Sequence, residues 1–91
     1  MLKPYDYVYH DEITGKFLGT FVYIVHPLHI KYDVAPGMAI KEAADAAIHL
    51  ANRLNADVNM PFNDVMLNIS CLGGISSQDV INKYFESLRA R

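Results

Sequence analysis

Residues Gly37–Asn55 read GMAIKEAADAAIHLANRLN, and this stretch decides the fold. At about 100° per residue, Ile40, Ala43, Ala44, Ala47, Leu50, Ala51 and Leu54 line up as one apolar stripe, the pattern of an amphipathic helix. Lys41, Glu42, Asp45, His49, Asn52 and Arg53 cover the opposite side, which reads as solvated. Four of the seven stripe residues are alanine, so whatever lies against the helix can approach its backbone closely. Gly37 as cap, or Pro36 in the first turn, would open the helix, and Asn55 suits a left-handed stop. The rest of the chain must supply a surface for that stripe.

Upstream, Tyr5–His10 and Phe17–Val25 are two extended runs joined by Asp11-Glu12-Ile13-Thr14-Gly15-Lys16. Gly15 can take the positive φ that a short bulged loop requires, so the pattern predicts a β-hairpin. Alternation places Tyr5, Tyr7 and Tyr9 on one face. The second run is apolar on both faces, with Leu18, Val22 and Ile24 on one and Phe17, Phe21, Tyr23 and Val25 on the other. One face must meet the helix. His26-Pro27 ends the run because proline cannot donate to a ladder. Leu28–Val34 then alternates Ile30, Tyr32 and Val34 as a short third extended piece.

Downstream, residues 57–62 and 65–70 flank Asn63-Asp64, a pair that accepts positive φ at both positions. A two-residue turn pairs Phe62 with Val65, Met60 with Leu67 and Val58 with Ile69, all pointing to one face. Pro61 falls opposite Met66, which makes residues 57–62 an edge strand or one whose pairing breaks at Pro61. After Gly73-Gly74, Ser76 is an N-cap with Asp79 three residues on, and Val80, Ile81, Tyr84, Phe85 and Leu88 form the stripe of a last helix. Arg89 and Arg91 suit the negative end of its dipole. The order is hairpin–helix–hairpin–helix (ββαββα). It implies one α+β domain over residues 1–91, a two-layer sandwich of four or five mostly antiparallel strands with two helices on one face.

The 91 residues are 52% hydrophobic and 20% charged, a globular composition. Ten acidic against eight basic residues give no basic excess for an electrostatic nucleic-acid binder. One cysteine, Cys71, excludes an intrachain disulfide and fits a reducing compartment. No run approaches the ~20 apolar residues of a membrane span, and the reading is of a soluble, cytoplasmic protein.

The chemistry-bearing residues read as ordinary structure. His26 and His29 flank a proline rather than a helical turn, and no zinc-ligand spacing joins them to His10, His49 or Cys71, so no metal or other cofactor is expected. Cys71 reads as a partly buried small hydrophobe. Gly73, Gly74, Ser76 and Ser77 precede or open a helix N-terminus, where an anion or small ligand could sit, and this is the alternative site. No enzymatic activity is expected.

The stronger signal is aromatic. Tyr5, Tyr7, Tyr9, Phe17, Phe21 and Tyr23 place six of the ten aromatics in the first quarter of the chain. Exposed together, Tyr5, Tyr7, Tyr9, Phe21 and Tyr23 would form a protein-binding patch, since tyrosine is enriched at interfaces. The partner is another protein or a second copy in a homodimer. A stacking platform for single-stranded nucleic acid is the other use of such rings. Asp6, Asp11 and Glu12 offset Lys3, Lys16 and Lys31 around them.

Two stretches carry a resemblance. YVYHDEITGKFLGTFVYIVHPL is similar in rhythm to the tyrosine–acidic turn–Thr-Gly–Phe-Leu-Gly opening of some bacteriophage virion-associated and accessory proteins. FNDVMLNIS followed by SSQDVINKYFESL resembles the strand–loop–helix ending of many small phage and prophage proteins. Together they cover about half the chain. The resemblance implies a mobile-element accessory protein, located in the host cytoplasm, that binds a host or viral protein. It transfers no functional residues.

Overall fold

The computed structural model describes residues 7–24, 29–72 and 74–89. Its elements are β1 (Tyr7–His10), β2 (Phe17–Ile24), β3 (His29–Val34), α1 (Ile40–Leu54), β4 (Val58–Phe62), β5 (Val65–Ile69) and α2 (Ser77–Arg89). The strands form one sheet in the order β1-β2-β3-β4-β5, antiparallel except for the β3–β4 pair. This is the expected α+β sandwich with one more full strand, β3, which stands at the centre of the sheet. Tyr5, Val25, His26, Pro27, Leu28 and Gly73, on which several expectations fall, lie outside the described residues.

The helix over 40–54 buries Ala43, Ala44, Ala46, Ala47, Leu50 and Ala51, and Asn55 ends it in the left-handed region at φ 52°. Its start differs from the expectation. Ala39, in an extended conformation, is the N-cap and makes no side-chain cap hydrogen bond. Gly37 instead takes a positive φ of 86° in the turn before the helix.

Cross-strand partners share a sheet face, so the register identifies the side that meets the helices. Tyr7 pairs with Phe21, Phe21 with Tyr32, Tyr23 with Ile30, and Ile30 with Val58. Val58, Met60 and Phe62 pair with Ile69, Leu67 and Val65, the register read from the two-residue turn. Ile30, Tyr32, Val58, Met60, Val65, Leu67 and Ile69 are all buried, and with the alanines of α1 they make the core. The helix layer is offset on this face. α1 packs across β4 and β5, and α2 packs against β5 and α1.

Three local departures have physical causes. His10 pairs with Phe17 and Tyr9 with Gly19, so Leu18 is an extra residue, a β-bulge. The bulge turns Leu18 away from the Val22–Ile24 face and buries it beside Ala46 of α1. Second, β4 is an interior strand, not an edge, because the β3–α1–β4 crossover returns it parallel to β3. The β3–β4 ladder comprises Ile30–Val58 and Lys31–Asn59 and stops short of Pro61, which is the local break that proline dictates. Third, α2 buries only Val80 and Tyr84 of its stripe. At the end of the helix layer it leaves Phe85 and Leu88 exposed.

Candidate functional site

The rings of the first hairpin converge as expected, on the helix side of the sheet but at the end the helix layer does not fill. Tyr7 stacks on Phe21 with centroids 5.2 Å apart and planes 17° apart. Tyr23 meets both rings edge-on, at 5.7 Å from Tyr7 and 6.1 Å from Phe21. Such geometries add to the burial of area itself. Tyr7 is 53% exposed and Tyr23 41%, while Phe21 is half-buried against the core. Phe17, 43% exposed, does not share the Phe21–Tyr23 face as alternation suggested: the bulge at Leu18 sets it opposite His10, tilted against that ring at 5.8 Å.

Tyr9 belongs to the core. It is 4% exposed, edge-on to Tyr32 and Phe21, and donates its hydroxyl to the Ala46 carbonyl at 2.8 Å. Burial pushes its pKa up to about 12. Tyr32, fully buried, donates to the Leu18 carbonyl, and burial raises its pKa further. Of the five rings expected at the surface, Tyr5 lies outside the described residues, Tyr7 and Tyr23 are open, Phe21 is their backing, and Tyr9 anchors them to α1.

That anchor continues along the hairpin tip. Lys16 pairs with Glu42 near the start of α1, and Glu12 pairs with Arg53 near its end. The polar face of α1 thus lies under the hairpin tip, where the sequence suggested open solvent. Between the two ion pairs is a half-open cavity of about 420 Å³, with Tyr9 and Leu18 on one wall and Asp45, Ala46 and His49 on the other. Its acids are engaged. The Thr14 and Ile13 backbone N–H groups hold the Asp11 carboxyl below the usual range, and Asp45 lies 3.5 Å from Lys41. The clasp escaped the sequence reading because Glu12 and Arg53 meet only through tertiary packing; the charged tip Asp11-Glu12 with Lys16 was its sole signal.

The alternative site is shaped by its own side chains. Gly74 has a φ of 56°. Ser76 Oγ accepts the Asp79 N–H at 3.2 Å, and Asp79 Oδ2 accepts the Ser76 N–H at 3.0 Å, a reciprocal capping box. The Ser76 N–H keeps the Asp79 carboxyl ionised to lower pH than usual, so a carboxylate already occupies the helix start. Ser77 opens α2 and is half-buried. Cys71 donates its backbone N–H to Asp57 Oδ1 at 3.1 Å, and burial together with that carboxylate raises its thiol pKa, the reverse of an activated nucleophile. Among the described residues, no three His, Cys, Asp or Glu side chains are grouped to hold a metal ion.

The fold and this surface define a small two-layer α+β protein with an aromatic hairpin at one end of its sheet. Compared with known proteins, the chain matches no family model, no curated protein and no solved structure.

Proposed function

We propose that this is a non-enzymatic accessory protein that acts by binding another protein through the aromatic end of the β1–β2 hairpin. The observation that carries the reading is the Tyr7–Phe21–Tyr23 cluster, interlocked yet exposed beside the helix layer. Rings held in place by one another lose little conformational freedom on docking, which is what makes tyrosine efficient at interfaces. The resemblance to small phage proteins points to a host or viral protein as partner. The cluster has the chemistry of an apolar face that completes the unfilled part of the helix layer.

Single-stranded nucleic acid is the weaker reading. The cation nearest the hairpin tip, Lys16, is engaged by Glu42, and Asp11 and Glu12 share that tip. Anion binding before α2 is weaker still, because Asp79 competes for the same donors.

The test is a pull-down from host lysate with the wild-type chain and a Tyr7→Ser/Tyr23→Ser variant. A partner retained by the first and lost by the second, with the variant's cooperative melt preserved, supports the reading. Equal capture by both, or a variant that unfolds, overturns it.

A further inference from the structure

The outer edge of β1 carries a second inference, one that stands on backbone rather than on the ring cluster. Among the described residues, no strand pairs with β1 on the side away from β2. Asp11 donates its backbone N–H to the Lys16 carbonyl at 2.8 Å, which fixes the phase of the hairpin ladder. In an antiparallel ladder the direction of N–H and C=O alternates residue by residue. Tyr9 and Tyr7 therefore face β2, and the N–H and C=O of Val8 and His10 face outward.

Exposed sheet edges are ordinarily defended by lysine, proline or an inward-pointing charge. Tyr7–His10 contains no Lys, Arg, Asp, Glu or Pro. Tyr7 and Val8, one on each face of the strand, are 53% and 45% exposed. At the opposite edge of the sheet, β5 (Val65–Ile69) also lacks these residues, and α2 packs against it from the helix layer. β1 is thus an undefended edge, and its hydrogen-bonding row accepts an extended strand.

We infer that the occupant of this edge is β1 of a second copy, paired antiparallel about a twofold axis perpendicular to the sheet. That symmetry keeps both helix layers on one side, so helix-side residues must oppose helix-side residues. A register centred on Val8 meets this condition. It sets Val8 against Val8 on the open face and Tyr7 against Tyr9 of the second copy on the helix side. It also joins the outward N–H and C=O of Val8 to their counterparts. The strand satisfies its own symmetry without placing two like charges together, and a net charge of −2 adds little repulsion between copies. Two five-stranded sheets become one ten-stranded sheet, with an aromatic cluster on either side of the join.

The test is solution mass by light scattering across a concentration series, combined with amide exchange by NMR. Wild type forms a dimer whose Val8 amide is protected and loses that protection on dilution. Val8→Lys, which places two ammonium groups opposite each other, weakens the dimer by at least about tenfold with an unchanged melt. Met66→Lys on β5 leaves the dimer intact. Tyr23→Ser also leaves it intact, so loss of partner capture in that background separates the ring-cluster proposal from this one. A strict monomer overturns the inference, as does a dimer that survives Val8→Lys or leaves the Val8 amide unprotected. A monomer that takes up an added extended peptide at β1 assigns the edge to another protein and overturns the second-copy assignment. Should Val8→Lys fail to fold, the exchange pattern of the wild type decides alone.

Discussion

The two hairpins use similar materials to opposite ends. β4–β5 turns on Asn63-Asp64, both at positive φ, and its register runs unbroken from Phe62–Val65 to Val58–Ile69. Its turn is tied to α2 by neutral contacts: Asn63 Nδ2 donates to the Tyr84 hydroxyl at 3.1 Å, and Phe62 meets the Tyr84 ring edge-on at 5.3 Å. β1–β2 has a longer loop, a bulge at Leu18 and charged ties to α1. The regular hairpin puts its whole inner face into the core. The irregular one divides its inner face, burying Tyr9 and Leu18 and leaving Tyr7 and Tyr23 exposed. A shift of register within a strand is what allows one hairpin to serve both core and surface.

The largest expected effect comes from removing that shift. Gly19 sits at φ 129°, and a Cβ there would collide with the Asp33 carbonyl oxygen and lie 2.9 Å from the Tyr32 ring. Both obstacles are central to the sheet and cannot swing aside. Gly19→Ala should cost about 3 kcal/mol or more, read as a lowered denaturation midpoint, combining backbone strain with overpacking. A near-neutral result would mean that the bulge is soft and the contrast between the hairpins overstated.

A smaller effect concerns alkali. Tyr9 ionises at about 12 in the folded state against the ordinary 10.0, because burial disfavours phenolate. A raised folded value means the stabilisation is complete below about pH 10 and is lost as pH climbs towards 12. Stability should decline across that window with both Tyr9 and Tyr32 contributing, and Tyr9→Phe should make the decline shallower without abolishing it, while losing about 1 kcal/mol at neutral pH with the Ala46 bond. Denaturant titrations at pH 8 and pH 11 measure both.

The smallest effect is the clasp. Its side chains are between 38% and 57% exposed, so Glu12→Gln or Glu42→Gln should each cost only ~0.2–1 kcal/mol, and the difference should vanish in molar salt. Asn63→Ala in the neutral tie should respond to salt far less. Equal salt sensitivity in the two hairpins would erase the distinction between a charged and a neutral anchor.

What could be read from the sequence follows the same division. The Asn63-Asp64 turn fixes a register by geometry alone, and the alanine stripe fixes a helix face; both stood in the residues themselves. The capping box at Ser76 and Asp79 is a local pattern and was equally plain. The Leu18 bulge was hidden, because Gly19 departs from strand geometry only where β3 presses on it. The interior position of β4 was hidden too, since it depends on where the α1 crossover delivers the chain. For the candidate surface, alternation grouped Tyr7, Phe21 and Tyr23, but it also placed Phe17 with them, and the bulge at Leu18 moves Phe17 to the face of His10. It could not tell which of them α1 would cover, and Tyr9 shows that one was.

The short parallel ladder between β3 and β4 has a consequence in time. Each hairpin closes over a few residues, whereas Ile30 and Val58 meet only by closing a loop that contains the whole of α1. Loop closure of that length is entropically slow, so the seam is among the last commitments the folding chain makes. With two residue pairs and a stop at Pro61, it is also the shortest ladder in the sheet.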